Sequence, residues 1–437
     1  MSIPTLQGLQ TALSGLLAEQ QAIDVTGHNI ANSNTEGYSR QTAVLQPNEP
    51  LVIPAGSPLK GNGGQLGTGV SVATFTRIRN IYLDAQYRTQ NSALSSATVT
   101  AEQLQQAQAT LGEPGGSGLS TQLSAFWSAW SGLAEAPTSE AAKQGVVSAG
   151  AQVASTLQQL SAQIGSISTQ ASQQYASLTG PSGQIQDYAK QIAQLNGQIR
   201  QAEQVGQKPN DLLDRRDLLL DKLSSIAQVS VSTQTDGTDT VTFGDAAKPL
   251  VEGTTVNWPQ TVTAAAGGQL GALLKLSGPG GTLASYQTAL DSVAATLAGS
   301  VNALHTSTPF FTGSTAATIT VAVTAAQVQA SSTGAAGGND VAQAISALRG
   351  GEADQGYSTL VAKIGSDVRA VQDEQANAQT MANAIGNQRQ SVSGVSLDEE
   401  MTNLISFQRG YQASARTLTA LDGMLETLIE HTGTVGL

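Results

Sequence analysis

The chain has 437 residues, enough for two or three domains with cores of their own. It has no cysteine and only three scattered histidines, which removes disulfides, thiolate chemistry and cysteine zinc sites. A net charge of −12 with no basic face argues against nucleic acid, and no apolar run approaches the ~18 residues of a membrane span.

The first predicted element is a helix over residues 1–34. Leu9, Leu16, Ile23 and Ile30 stand seven apart, with Leu6, Leu13, Gln20 and Gly27 as a weaker companion column. So narrow an apolar stripe cannot be buried by the helix alone. This stretch lacks the basic start and continuous apolar core of a cleaved secretory signal. Asn29, Asn32, Gly37 and Tyr38 mark a bend where the helix stops, because asparagine favours caps and turns and glycine ends helices. Tyr38 to Gln46 should be extended, Pro47 to Gly69 a loop or hairpin, and Val70 to Phe75 a strand.

Helices are predicted next over Ile81–Leu111, Ser117–Leu133, Ser139–Leu178, Ser182–Gln204 and Pro209–Ile226. From Val229 the pattern turns to alternation, with a hairpin around Asp236-Gly237. Short β-like runs are read through Val251, Val256 and Leu270 to Leu276. Thr282 to His305 is helical again, Thr318 to Val323 extended, and the chain from Val341 helical almost to its end. The last helix repeats the first one's rhythm. Leu397, Leu404, Tyr411, Leu418 and Leu425 form one column, and Met401, Gln408, Ala415, Asp422 and Ile429 a mixed one. The economical reading is that the two ends of the chain pair, with each other or with copies of themselves.

Candidate chemistry is thin. Asp211, Asp214 and Asp217 share a helix face, but acids at a helix start, with Arg215 and Arg216 beside them, read as structural. The glycine-rich run Gly61 to Gly67 lacks the lysine and the strand-to-helix setting of a phosphate loop. No histidine has a sequence partner for a metal or a triad, and no serine sits in a nucleophile setting. Trp127 and Trp130 read as core. No cofactor, no metal and no enzymatic activity are expected.

The stretch Ala31-Asn32-Ser33-Asn34-Thr35-Glu36-Gly37-Tyr38-Ser39-Arg40-Gln41, preceded by Ala12-Leu13-Ser14-Gly15-Leu16, resembles the N-terminal signature of the bacterial flagellar rod, hook and hook-associated proteins. Gly394 to Glu400 and Gln408 to Arg416 are similar to that superfamily's C-terminal signature. Within it, Tyr188 to Asn196 and Pro209 to Asp217 resemble the hook–filament junction family, FlgK. The resemblance implies a structural role, with terminal helices forming a coiled coil inside a hollow tube and other domains stacked outward.

The expected fold is therefore mainly α with a β-rich insertion: a terminal coiled coil, a helical-bundle body and a small outer β domain. The expected domains are 1–40 with 395–437 for the inner tube, 41–228 with 282–305 and 338–394 for the body, and 229–281 with 306–337 for the outer β domain. Assembly residues would be Leu9, Leu16, Ile23, Ile30, Leu397, Leu404, Tyr411, Leu418 and Leu425. The resemblance further implies a ring of like subunits, contacts to the hook protein and to the second junction protein, an export chaperone at the C-terminal helix, and secretion to the flagellum without a cleaved signal. Alternatives are another axial flagellar protein, such as the second junction protein or the hook protein, or an extracellular adhesin or enzyme on helical anchors.

Overall fold

The computed structural model describes residues 3–53, 64–113, 115–116 and 118–431. Helix α1 (Ile3–Ala31) opens the chain. Strands β1 (Gln41–Pro47), β2 (Leu51–Ile53), β3 (Gly64–Leu66) and β4 (Val70–Arg77) follow. They form an antiparallel arm in which β1 pairs with β4 and β2 with β3. The expectation for Gly61 to Gly63 lies outside the described residues; Gly64 begins β3.

Helices α2 (Ile81–Leu111), α3 (Leu119–Glu135), α4 (Glu140–Thr179), α5 (Gln184–Gln204) and α6 (Asn210–Ile226) come next. Local chemistry sets their ends. The Asn80 side chain accepts from the backbone N–H of Tyr82 at 3.0 Å, and Gly112 closes α2 at φ 62°, a conformation that favours glycine. Ser139 caps α4 by accepting from Ala142 N–H at 3.3 Å.

Strands β5 (Val229–Thr233), β6 (Asp239–Phe243), β7 (Val251–Glu252) and β8 (Thr255–Val256) make a four-stranded antiparallel meander. Val229 pairs with Phe243 and Thr233 with Asp239, and Gly237 turns the chain at φ 80°. Leu270 to Leu276, read from sequence as β-like, instead lie in helix α7 (Gly268–Ser277). The apolar face of α7 is buried on the meander's core, and a short apolar run carries no periodicity that separates strand from helix. Then follow α8 (Thr282–Leu304), β9 (Phe311–Thr312), β10 (Thr320–Val321), α9 (Asp340–Ser346), α10 (Glu352–Ser393) and α11 (Leu397–His431).

Two hydrophobic cores result. The larger joins α2, α3, α4, α8, α9 and the start of α10 around Phe126, Trp127, Trp130, Leu157, Tyr286, Phe310 and Phe311. Trp130 and Phe310 meet at 5.4 Å between centroids with their planes tilted by 58°, and Phe310 meets Phe311 edge-on at 4.8 Å. The smaller core joins the end of α4, α5, α6, α7 and the meander around Ile185, Ile192, Leu220, Phe243 and Leu270. The two β-rich stretches expected to share one outer unit thus pack separately. The meander rests on the smaller core, while the β9–β10 hairpin brings Phe310, Phe311 and Ile319 into the larger one. Long helices α2 and α10 run antiparallel from the larger core, with Gln375 reaching Thr98 at 3.2 Å and Arg389 reaching Asp84 at 2.9 Å. Among the described residues no helix is long and apolar enough to cross a membrane.

Candidate assembly surface and its joint to the body

Helix α1 lies along α11, antiparallel. A Cβ built on Gly8 would stand 3.4 Å from Leu421, one on Gly15 would stand 3.1 Å from Ser414 Oγ, and one on Gly410 would stand 2.6 Å from Glu19 Oε1. Seven residues forward on one helix match seven back on the other. The seam is lined mostly by small side chains: Ala12 and Ala22 are buried, and Gly8 and Gly15 stand on the same face. Small residues let the two backbones approach closely. The terminal helices therefore pair within a single chain.

The sequence-predicted columns stand beside this seam. Leu9, Leu16, Ile23 and Ile30 on α1, and Leu404, Tyr411, Leu418 and Leu425 on α11, are half-buried, while Leu397 is exposed. Further round, Leu13, Leu17, Met401 and Ile405 are 42–48% exposed. The side chain of Leu6 lies outside the described residues. Glu19 sits in the seam over Gly410 with no cation within 4 Å among the described residues, and burial pushes its carboxyl above the ordinary range.

At the other end of the pair the predicted bend is a hydrogen-bond hub. Asn29 is buried; its Nδ2 donates to Gln41 O at 2.8 Å and to Glu400 Oε2 at 3.0 Å, and its Oδ1 accepts from Tyr38 Oη at 2.8 Å and Gln41 N at 2.9 Å. All of its side-chain capacity is used. Asn32 caps the end of α1 by donating to His28 O at 3.0 Å. Gly37 turns the chain at φ 79° with Leu218 packed over it, where a side chain would be strained as well as crowded. The four predicted bend residues thus gather at one joint. Sequence reading missed their partners Gln41 and Glu400. No local signal marks Glu400, which lies 371 residues from Asn29.

Behind the joint, four arginines and four aspartates interlock. Arg77 bridges Asp214 at 2.8 Å and Asp217 at 2.9 Å; Arg79 reaches Asp84 at 2.7 Å and Asp217 at 3.2 Å. Arg88 meets Asp217 at 3.1 Å and Asp221 at 2.9 Å, and Arg389 meets Asp84 at 2.9 Å and Asp221 at 2.6 Å. Ser39 donates both its N–H and its hydroxyl to Asp214, at 3.0 and 2.7 Å. Burial alone would push the Asp217 carboxyl up, but Arg79, Arg77 and Arg88 outweigh it and hold the group at about 2. The aspartate run of α6 is structural, as its sequence suggests, but its partners are not the neighbouring arginines. Arg216 turns the other way, to Asp239 at 2.9 Å and Asn196 at 2.9 Å under the meander.

Among the described residues no group of three or more histidine, aspartate or glutamate side chains is arranged to hold a metal ion. The chemistry of this region is that of packing and orientation.

Three family models match the chain. Residues 104–265 match the helical domain of the flagellar hook-associated protein FlgK, residues 387–430 the flagellar basal body rod FlgEFG protein C-terminal, and residues 9–38 the flagella basal body rod protein. Flagellar hook-associated protein 1 of Bacillus subtilis is 30% identical over 99% of this chain and 99% of its own length. The protein of the same name from Salmonella typhimurium is 34% identical over 56% of this chain and 42% of its own. A solved structure of the flagellar hook junction protein FlgK from Burkholderia pseudomallei, 27% identical, overlaps 51% of this chain and 43% of that one with a TM-score of 0.45.

Proposed function

The chain belongs to the flagellar hook-associated protein 1 family, structural proteins of the hook–filament junction, and from that premise we propose that it assembles through the outward faces of its terminal helix pair. One observation carries the reading. The pair closes on a seam rich in small residues, with Leu421 over Gly8, and leaves Leu13, Leu17, Leu397, Met401 and Ile405 each 42–50% exposed along two neighbouring helices. Apolar surface of this extent on a folded chain is covered by something. Copies of the same chain are the occupant: a ring whose inner wall is formed by residues 1–40 and 395–437, with the helical body outside it.

In this reading the assembly residues are Leu9, Leu16, Ile23, Ile30, Leu397, Leu404, Tyr411, Leu418 and Leu425, and the bend residues Asn29, Asn32, Gly37 and Tyr38 carry the wall into the body. The ring meets the hook protein on one side and the second junction protein on the other. An export chaperone shields the α11 stripe before assembly. Its role is mechanical and not enzymatic. The rival reading as the hook protein or the second junction protein is set aside, because the likeness to a hook-associated protein 1 runs through nearly the whole chain.

The test is a full-length variant with Leu13→Ser, Leu17→Ser and Ile405→Ser in a motile host lacking its own copy. The free chain should keep its helix content while motility fails and filament protein leaks into the medium. Normal motility would sink the proposal.

A further inference from the structure

Two crossings join the terminal pair to the body, residues 32–40 after α1 and residues 394–396 between α10 and α11. Arg40 touches both. Its backbone N–H donates to Ser393 O at 2.9 Å, at the edge of the second crossing, and its carbonyl accepts from Ile78 N at 2.8 Å, just past β4. Its guanidinium reaches Glu400 Oε1 at 2.7 Å and Glu399 Oε2 at 2.6 Å in the first turn of α11. Glu400 is 2% exposed, and Arg40 is its one cation within 4 Å among the described residues. Its other oxygen is held by Asn29.

We infer that Arg40 is a positioning residue: through Glu400 it locks the two crossings into one rigid joint, so the direction of the terminal pair is set inside the single chain before any neighbour is met. The inference deepens the assembly reading and depends on it only for its consequence in the flagellum. Without Arg40, Glu400 becomes a buried carboxylate held by one neutral amide, a state that drives it toward water and carries the start of α11 with it. The body is not held by this contact. Its side of the joint is fixed by Asp214, Asp217, Asp221 and Arg389, none of which bonds to α1 or α11.

The chain has no cysteine, so two can be placed freely: Gln412→Cys on α11 and Gln173→Cys on α4, both exposed, carrying spin labels in the full-length protein. Pulsed paramagnetic resonance should give one narrow distance distribution in the parent. Arg40→Met and Glu400→Gln should each widen it at least about twofold, as a freed hinge would. Melting of the body, followed by the tryptophans, should stay where it was. Arg40→Lys, which keeps the charge against Glu400 but loses the fork to Glu399, should restore most of the narrow distribution. An unchanged distribution in Arg40→Met or Glu400→Gln overturns the inference. So does a body that melts earlier in step with the widening, since Arg40 would then be one more contact of the fold. The serine variant at 13, 17 and 405 separates the two proposals: it should keep the narrow distribution and still fail to assemble.

Discussion

The body and the terminal pair use apolar residues in opposite ways. In the body Phe126, Trp130, Leu157 and Phe310 have no exposed surface left, and four further helices close over them. In the terminal pair alanine and glycine line much of the seam, with Leu421 among them, and most of the leucine, isoleucine and methionine stands at its edges or outside. Burial of large side chains is what stabilises a chain by itself. A helix pair whose large side chains are half-buried or exposed has packing energy still to be realised, in contact with something else. The same two-helix arrangement would read as a design fault in an isolated monomer and as an economy in a polymer.

The sharpest way to break the comparison is to damage the body and see whether only the body responds. Trp130→Ala should cost ~3–5 kcal/mol, because a fully packed ring is replaced by a cavity. Denaturant unfolding of the free chain should report that loss; a loss below about 1 kcal/mol would mean the core is not closed as described.

Next in size is the ionic lattice. Asp217→Asn leaves three guanidiniums with one carboxylate fewer and should cost about 3 kcal/mol at neutral pH. The parent gives the same contribution a pH signature. The folded carboxyl titrates at about 2, below its ordinary value. Its stabilisation, roughly 2 kcal/mol, is complete above pH ~4 and disappears as pH falls through about 2. Acid titration of the variant should lack that component, and parallel acid curves for parent and variant would rule it out.

A smaller effect on the free chain, and a larger one on the assembly, is expected from Leu418→Ala with Leu425→Ala. Both side chains are only half-buried. The melting of the body should hardly move, whereas Ile192→Ala, in the smaller core, should lower it by ~2–5 kcal/mol worth of stability. Motility should fail in the double variant. If the double variant destabilises the body as much as Ile192→Ala, the two regions are not separable.

Smallest of all is Glu19→Gln. The Glu19 carboxyl is raised by burial, so its ionised form weakens pairing above its folded pKa, and the penalty fades as pH falls below the unfolded value. Glutamine should slow amide exchange along α1 at pH 7 and give no gain at pH 4. A variant that exchanges faster at pH 7 would show that the charge is favourable there.

Much of this was legible in the sequence, for reasons that differ by region. The bounds of α2 follow from helical spacing and the stop at Gly112, and the β5–β6 hairpin from alternation around Asp236-Gly237. The terminal heptads are real, but the search for large apolar residues lands one position to the side of the seam. Gly8, Gly15, Ala22 and Gly410 have little hydrophobic signal, and their value lies in how closely they let a partner approach. The lattice was invisible for another reason. Asp214 and Asp217 have Arg215 and Arg216 as chain neighbours, yet adjacent residues on a helix point in different directions, so the pairing falls to Arg77, Arg79 and Arg88 from more than a hundred residues away.

Helix α11 has 35 residues, and at 1.5 Å per residue it reaches about 50 Å from the joint. It is a lever. A wobble of about 5° at Arg40 would sweep its far tip through roughly 4 Å, close to the spacing of neighbouring strands in a sheet. Twice that would carry a leucine past the hollow meant for it. The tolerance of any structure built on such tips therefore depends on the opposite end of the helix, where one guanidinium and one amide hold one carboxylate.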